Sequence, residues 1–206
     1  MEEANLNEMI NRGISCLESG ENEEAIKIFY RVIQADSGFK SLDEITDVIK
    51  SLASLKQPTC LRLPAQKALI GLGVAYIRKG MITIAEDCIL NGAYKSQDEG
   101  VLFLAGTFYL VIRDAELDTA FAYFKEACQV DPRWLYKCDG MVQWFLRRRG
   151  SFYPNSIIRL YIGLWDKIKK EITEQLTDTT PVEDSFVDHL LGFLVEFGEK
   201  ETGWSR

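Results

Sequence analysis

A single histidine, His189, serves the whole chain. Any Ser–His–Asp or Cys–His centre would have to run through it. Asp188 adjoins it but points elsewhere on a helix, because only residues three or four apart share a face. No Cys or Glu cluster stands near it to complete a tetrahedral metal site. His189 therefore reads as a surface or boundary residue of the last helix. The five cysteines, Cys16, Cys60, Cys88, Cys128 and Cys138, form no C-x-x-C pair, so zinc-ribbon and thioredoxin readings fail. Cys16, Cys88 and Cys128 fall where an apolar helix face takes small residues, and the set suits a reducing compartment. Five prolines and 15 glycines are too few for a collagen or a linker. No window reaches about 18 uncharged apolar residues, so no membrane span is expected. Met1-Glu2-Glu3-Ala4-Asn5 is acidic and polar, unlike a secretory signal. A cytoplasmic or nuclear location is the expectation.

Motifs of catalysis are also missing. There is no G-x-G-x-x-G, no G-x-x-x-x-G-K-[ST], no H-E-x-x-H and no EF-hand loop. Gly71-Leu72-Gly73 lies inside a helical pattern, where it cradles no phosphate. The paired carboxylates Glu23-Glu24 and Asp43-Glu44 fall in first helical turns, where the helix dipole favours them without acid–base chemistry. Neither an enzyme nor a cofactor is expected.

What is present is a repeat. The 206 residues are 47% hydrophobic and 27% charged, enough for one sizeable core and one domain over 1–206. Gly13 is followed by Cys16, Gly20, Ala25, Phe29 and Val32; Gly73 is followed at the same offsets by Tyr76, Gly80, Ala85, Ile89 and Gly92. After Gly106 come Tyr109 and, past a two-residue insertion, Ala120, Phe124, Ala127 and Asp131-Pro132. Gly73 to Gly106 is 33 residues and Gly106 to Gly140 is 34, which hints at a fourth, degenerate unit. Glycine on one helix and alanine on the next permit close approach, and Phe29, Ile89 or Phe124 fills the gap to the neighbouring pair. Gly20 and Gly80 suit turns that need positive φ. Each pair leaves a face uncovered, so the pairs must stack.

This pattern resembles the tetratricopeptide repeat (TPR) family over about 6–37, 66–97 and 99–132. Tyr109, Ala120, Phe124, Ala127 and Pro132 match its signature; Cys16 departs from the usual aromatic, Ser37 and Gln97 from the closing proline, and Gly13 to Gly73 spans 60 residues. The resemblance implies an all-α solenoid of helical hairpins. The intervening segment carries an inserted helix, 41–55, opened by the capping box Ser41-Leu42-Asp43-Glu44; it serves as a spacer or as a partner-binding element. C-terminal helices follow over 133–200: Trp134 to Arg149, Pro154 to Leu176 and Glu183 to Lys200. No alternating strand pattern appears.

The resemblance also implies a concave groove lined by first helices. Members that grip a peptide carboxylate carry Lys, Asn and Arg there. This chain has Ile10, Ile14, Gly71, Gly100 and Leu104 at those positions, so no such clamp is expected. The lining is instead apolar: Ile10, Ile14, Leu17, Ile70, Val74, Ile77, Phe103, Thr107 and Leu110. It suits a partner helix or an apolar peptide, unless the inserted helix or a C-terminal helix fills it. Charge marks a second surface. Residues 133–170 hold nine bases against two acids, while the chain as a whole is at −7. Arg147, Arg148, Arg149, Arg159, Lys167, Lys169 and Lys170 alternate there with Trp134, Tyr136, Trp144, Tyr153 and Trp165. Two readings follow: an adaptor or complex subunit that selects an acidic partner protein, or a helical-repeat protein that holds single-stranded RNA by phosphate contact and base stacking. The acidic balance favours the first.

Overall fold

Small residues and positive-φ glycines shape the chain into paired helices. The computed structural model describes residues 3–37, 61–113, 116–149 and 153–201. Within them lie α1 (Glu3–Glu18), α2 (Asn22–Ser37), α3 (Leu63–Arg78), α4 (Ile82–Ala93), α5 (Glu99–Val111), α6 (Leu117–Val130), a 3-10 turn (Pro132–Trp134), α7 (Leu135–Arg149), α8 (Asn155–Thr173) and α9 (Ser185–Glu201). The described residues contain no strand. The inserted helix expected over 41–55 lies outside them.

The turns obey the expected backbone logic. Gly20 has φ +81° and Gly80 φ +74°. In the first turn the Gly20 N–H donates to the Leu17 carbonyl (3.1 Å) and the Glu21 N–H to that of Cys16 (2.8 Å). In the second, Gly80 N–H reaches Ile77 (2.8 Å) and Met81 N–H reaches Tyr76 (2.9 Å). These are paired helix-terminating bonds that need a left-handed residue, which glycine supplies without steric cost. Pro64 sits in the first turn of α3, where its missing N–H is harmless, and Asp98 caps α5 by accepting from the Val101 N–H (2.8 Å).

The helices gather into two compact units: one formed by residues 1–96 with 185–206, the other by residues 97–184. In the first, α1 packs on α2, α2 on α3, α3 on α4, and α9 lies against α1 and α3. A Cβ at Gly13 would stand 2.7 Å from the Phe29 ring, and one at Gly71 2.5 Å from the same ring. Phe29, fully buried, thus fills the space between the first hairpin and α3. A Cβ at Gly73 would meet Ile89 at 2.6 Å and the Ala85 carbonyl at 3.1 Å.

In the second unit α5 packs on α6, and α8 crosses α6 and α7. A Cβ at Gly106 would meet Phe124 at 2.6 Å and the Ala120 carbonyl at 3.1 Å. The core is aromatic: Phe103 lies 5.7 Å from Phe124 and 5.3 Å from Trp134, and Trp165 5.5 Å from Phe121. Gly140, placed by spacing at the head of a fourth unit, is exposed, and its Cβ position meets nothing within 4 Å.

Two substitutions separate these kinds of glycine. Gly106→Ala gains about 1 kcal/mol of helix propensity but forces the buried Phe124 ring aside, an overpacking cost of about 1–3 kcal/mol. A net loss of stability is expected. Gly140→Ala meets nothing and should stabilise by about 0.5–1 kcal/mol. Urea midpoints of the two variants check both signs.

Candidate interaction surface

The nine residues assigned to a groove, eight apolar and Thr107, are buried. Ile10, Ile14, Leu17, Ile70, Val74, Ile77, Phe103, Thr107 and Leu110 are none of them more than 4% exposed. In the first unit α9 packs across α1 and α3, the helices that carry six of them, and buries its own Phe186, Val187, Leu190 and Leu194. The expectation of an open apolar groove is corrected accordingly. An apolar stripe reads alike in sequence whether it faces a partner or the chain's own last helix. Gly100 and Leu104, two of the clamp positions, are buried too.

Polar contacts hold α9 in place. His189 Nδ1 lies 2.6 Å from Glu18 Oε1 on α1, both half exposed. Arg78 at the end of α3 donates to the Leu17 carbonyl and stacks 4.7 Å from the Phe193 ring centre. Lys67 lies over Phe186 at 5.2 Å. A cleft of about 310 Å³ opens between Asn22, Arg78, Phe193, Glu196, Phe197 and Lys200. Its charges serve one another: Lys200 pairs with Glu196, whose carboxyl is held below the usual range by that contact.

The cysteines behave as small apolar residues. Cys88, Cys128 and Cys138 are fully buried, and burial pushes the thiols of Cys88 and Cys138 well above the ordinary range. Cys16, expected on the apolar face, is only half-buried. No group of three or more His, Cys, Asp or Glu among the described residues is arranged to hold a metal ion. No helix of the described residues is long and apolar enough to cross a membrane.

The basic belt divides into spent and unspent cations. Arg133 binds Asp131 through Nε (3.0 Å) and a terminal nitrogen (2.7 Å), and lies 3.6 Å from Asp178. Lys169 pairs with Asp139 at 3.2 Å, and that carboxylate also accepts from the buried Trp165 indole N–H at 2.8 Å. Arg147 donates from Nε to the Gln143 carbonyl of its own helix (3.2 Å). Arg148 is exposed, and the side chain of Arg149 lies outside the described residues. Arg159, Lys167 and Lys170, all on α8, are exposed and join no ion pair among the described residues.

The same helix also exposes apolar side chains. Leu160 is 68% exposed, with Ile157 and Ile162 each at 38%. The opposite side of α8 buries Trp165, Ile168 and Ile172 in the core. By contrast two of the five aromatics of the belt are core residues. Trp134 and Trp165 are each 1% exposed, Trp144 and Tyr153 are half-buried, and only Tyr136, at 51%, is broadly open. A base cannot stack on a ring buried in the core, so the RNA reading loses the platform that sequence interleaving implied.

No protein-family model matches the chain, and no curated protein or solved structure matches it significantly.

Two results are expected. Val74→Glu places a carboxylate in a fully buried site and should unfold the first unit, at a cost of several kcal/mol, as loss of far-UV circular dichroism. The second concerns acid. Arg133 lowers the Asp131 carboxyl, and the Thr180 hydroxyl and N–H lower that of Asp178. Both groups therefore add stability that is complete above the ordinary carboxylate value of about 3.9 and is lost as pH falls through their lower folded values. Asp131→Asn should be less stable at neutral pH and show a shallower acid loss, measured by urea midpoints from neutral pH down.

Proposed function

We propose that this chain is a non-enzymatic interaction protein: a TPR-like stack of helical hairpins that acts as an adaptor or complex subunit and engages an acidic protein partner through the basic face of its second unit. The observation that carries this reading is the outer face of α8. Arg159, Lys167 and Lys170 share that helix with a leucine, Leu160, that is 68% exposed, while the nine residues of the expected groove are at most 4% exposed. Burying a leucine side chain is worth about 1.5–3 kcal/mol, and cations beside an apolar patch select for acidic partners and speed encounter. Among the described residues those three cations have no ion-pair partner to satisfy them.

The interior supports a binding role better than a catalytic one. Among the described residues its perturbed titratable groups are thiols and tyrosines raised by burial, one half-exposed carboxyl, Asp87, raised by desolvation, and carboxylates that cap and pair, and no three of its His, Cys, Asp or Glu side chains gather into a metal-binding cluster.

The test is direct binding of polyglutamate, polylysine and single-stranded oligouridylate to the full chain over a range of salt. Polyglutamate should bind, weaken as salt rises, and weaken further in the Arg159→Glu, Lys167→Glu, Lys170→Glu triple variant. Oligouridylate binding with no polyglutamate binding would replace this reading with the nucleic-acid one.

A further inference from the structure

Glycine in the middle of an exposed helix costs about 0.5–1 kcal/mol relative to alanine, so each one invites a reason. For Gly13, Gly71, Gly73, Gly92 and Gly106 the reason is intramolecular: a Cβ would come within 2.5–3.0 Å of a side chain or carbonyl. For Gly163 on α8 there is none, since its Cβ position meets nothing within 4 Å. Gly140 and Gly192 are likewise open, so openness alone identifies no site. What distinguishes Gly163 is its setting.

Helical spacing places Arg159, Gly163, Lys167 and Lys170 on one ridge, at steps of four, four and three. Leu160 precedes Gly163 by three residues and Lys167 by seven, and so lines the same outer surface. Ile157 stands one turn before Leu160. The ridge is thus a notch with apolar side chains at its N-terminal end and cations on both sides. Asp166, three residues after Gly163, lies on the same ridge, and Glu174 stands one turn beyond Lys170; neither has an ion pair among the described contacts, whereas Glu171 is taken up by Lys125 at 2.9 Å.

A glycine notch is of use to a partner that brings backbone close. Helix axes pack 8–10 Å apart according to the side chains at the contact, and a glycine there lets them approach at the near end of that range. A lipid headgroup or an RNA phosphate meets cations but gains nothing from a missing methyl group, and this face offers no exposed aromatic for stacking. We infer that an acidic amphipathic helix of a partner protein lies along the outer face of α8, its backbone close to Gly163, its apolar side chains on Leu160 and Ile157, and its carboxylates on Arg159, Lys167 and Lys170. The inference rests on the reading that the basic face binds an acidic protein, and adds the form of the partner and its point of closest approach.

The probe is a synthetic helix-forming peptide of Glu, Ala and Leu, about six turns long, compared with a peptide of identical charge broken by prolines. Titration uses the full chain at low salt. The helical peptide should bind more tightly than the broken one. Leu160→Glu and Gly163→Gln should each weaken the helical peptide about tenfold, as loss of a central contact does, and leave the broken peptide unchanged for Gly163→Gln. Gly163→Gln meets open space, so its urea midpoint should be no lower than that of the parent, which keeps folding out of the comparison. Equal binding of the two peptides, or no effect of Gly163→Gln on the helical one, overturns the helix-on-helix arrangement and leaves the acidic-partner reading standing. Binding of neither peptide, together with binding of vesicles rich in phosphatidylserine or of oligouridylate, overturns both.

Discussion

The packing of the first unit depends on one ring. Phe29 is held between Gly13 of α1 and Gly71 of α3, and either glycine with a Cβ would collide with it. That contact fixes the distance of two helices from a third at once. A protein interior is packed to crystal-like density, so a ring in such a slot constrains where its neighbours stand. The second unit repeats the device with Phe124 against Gly106, and the second hairpin does so with Ile89 against Gly73. Among the described residues five glycines serve as missing volume, and glycine takes positive φ only at the turns after α1 and α3.

The same economy explains the cysteines and the belt. Cys128 and Cys138 bring their sulfurs to 3.8 Å in the core of the second unit as unbonded thiols, and the Phe124 carbonyl lies 4.0 Å from Cys138 Sγ. Asp139, next in the chain, turns outward and gathers both the Trp165 N–H and the Lys169 ammonium. One carboxylate thereby ties α7 to α8, satisfies a buried indole and removes one cation from the surface. Arg133 is withdrawn in the same way by Asp131. The net charge of the belt overstates its available charge; of its exposed cations without an ion pair among the described residues, Arg159, Lys167 and Lys170 lie on α8 and Arg147 on α7.

Much of the fold was legible in the chain itself. The spacing of Gly13, Gly73 and Gly106 from Ala25, Ala85 and Ala120 announces close helix pairs, and the structure brings those elements together. Gly20 and Gly80 announce turns and have the positive φ expected of them. The surface was much less legible. Leu160 and Ile14 look equivalent as letters in an apolar pattern, yet one is 68% exposed and the other 4%. Trp134 and Trp165 look equivalent to Tyr136, yet they are core and it is not.

The chain by itself determined its all-helical class, its helix pairs and its turns, because each of these follows from residues close together in sequence and from the volumes of single side chains. Tertiary structure alone decided which apolar stripes are covered and which cations are neutralised. Those outcomes depend on where α9 returns to meet α1 and α3, and on which carboxylate from a different helix arrives within reach of each base. Contacts between residues far apart in the chain leave no periodic trace in it.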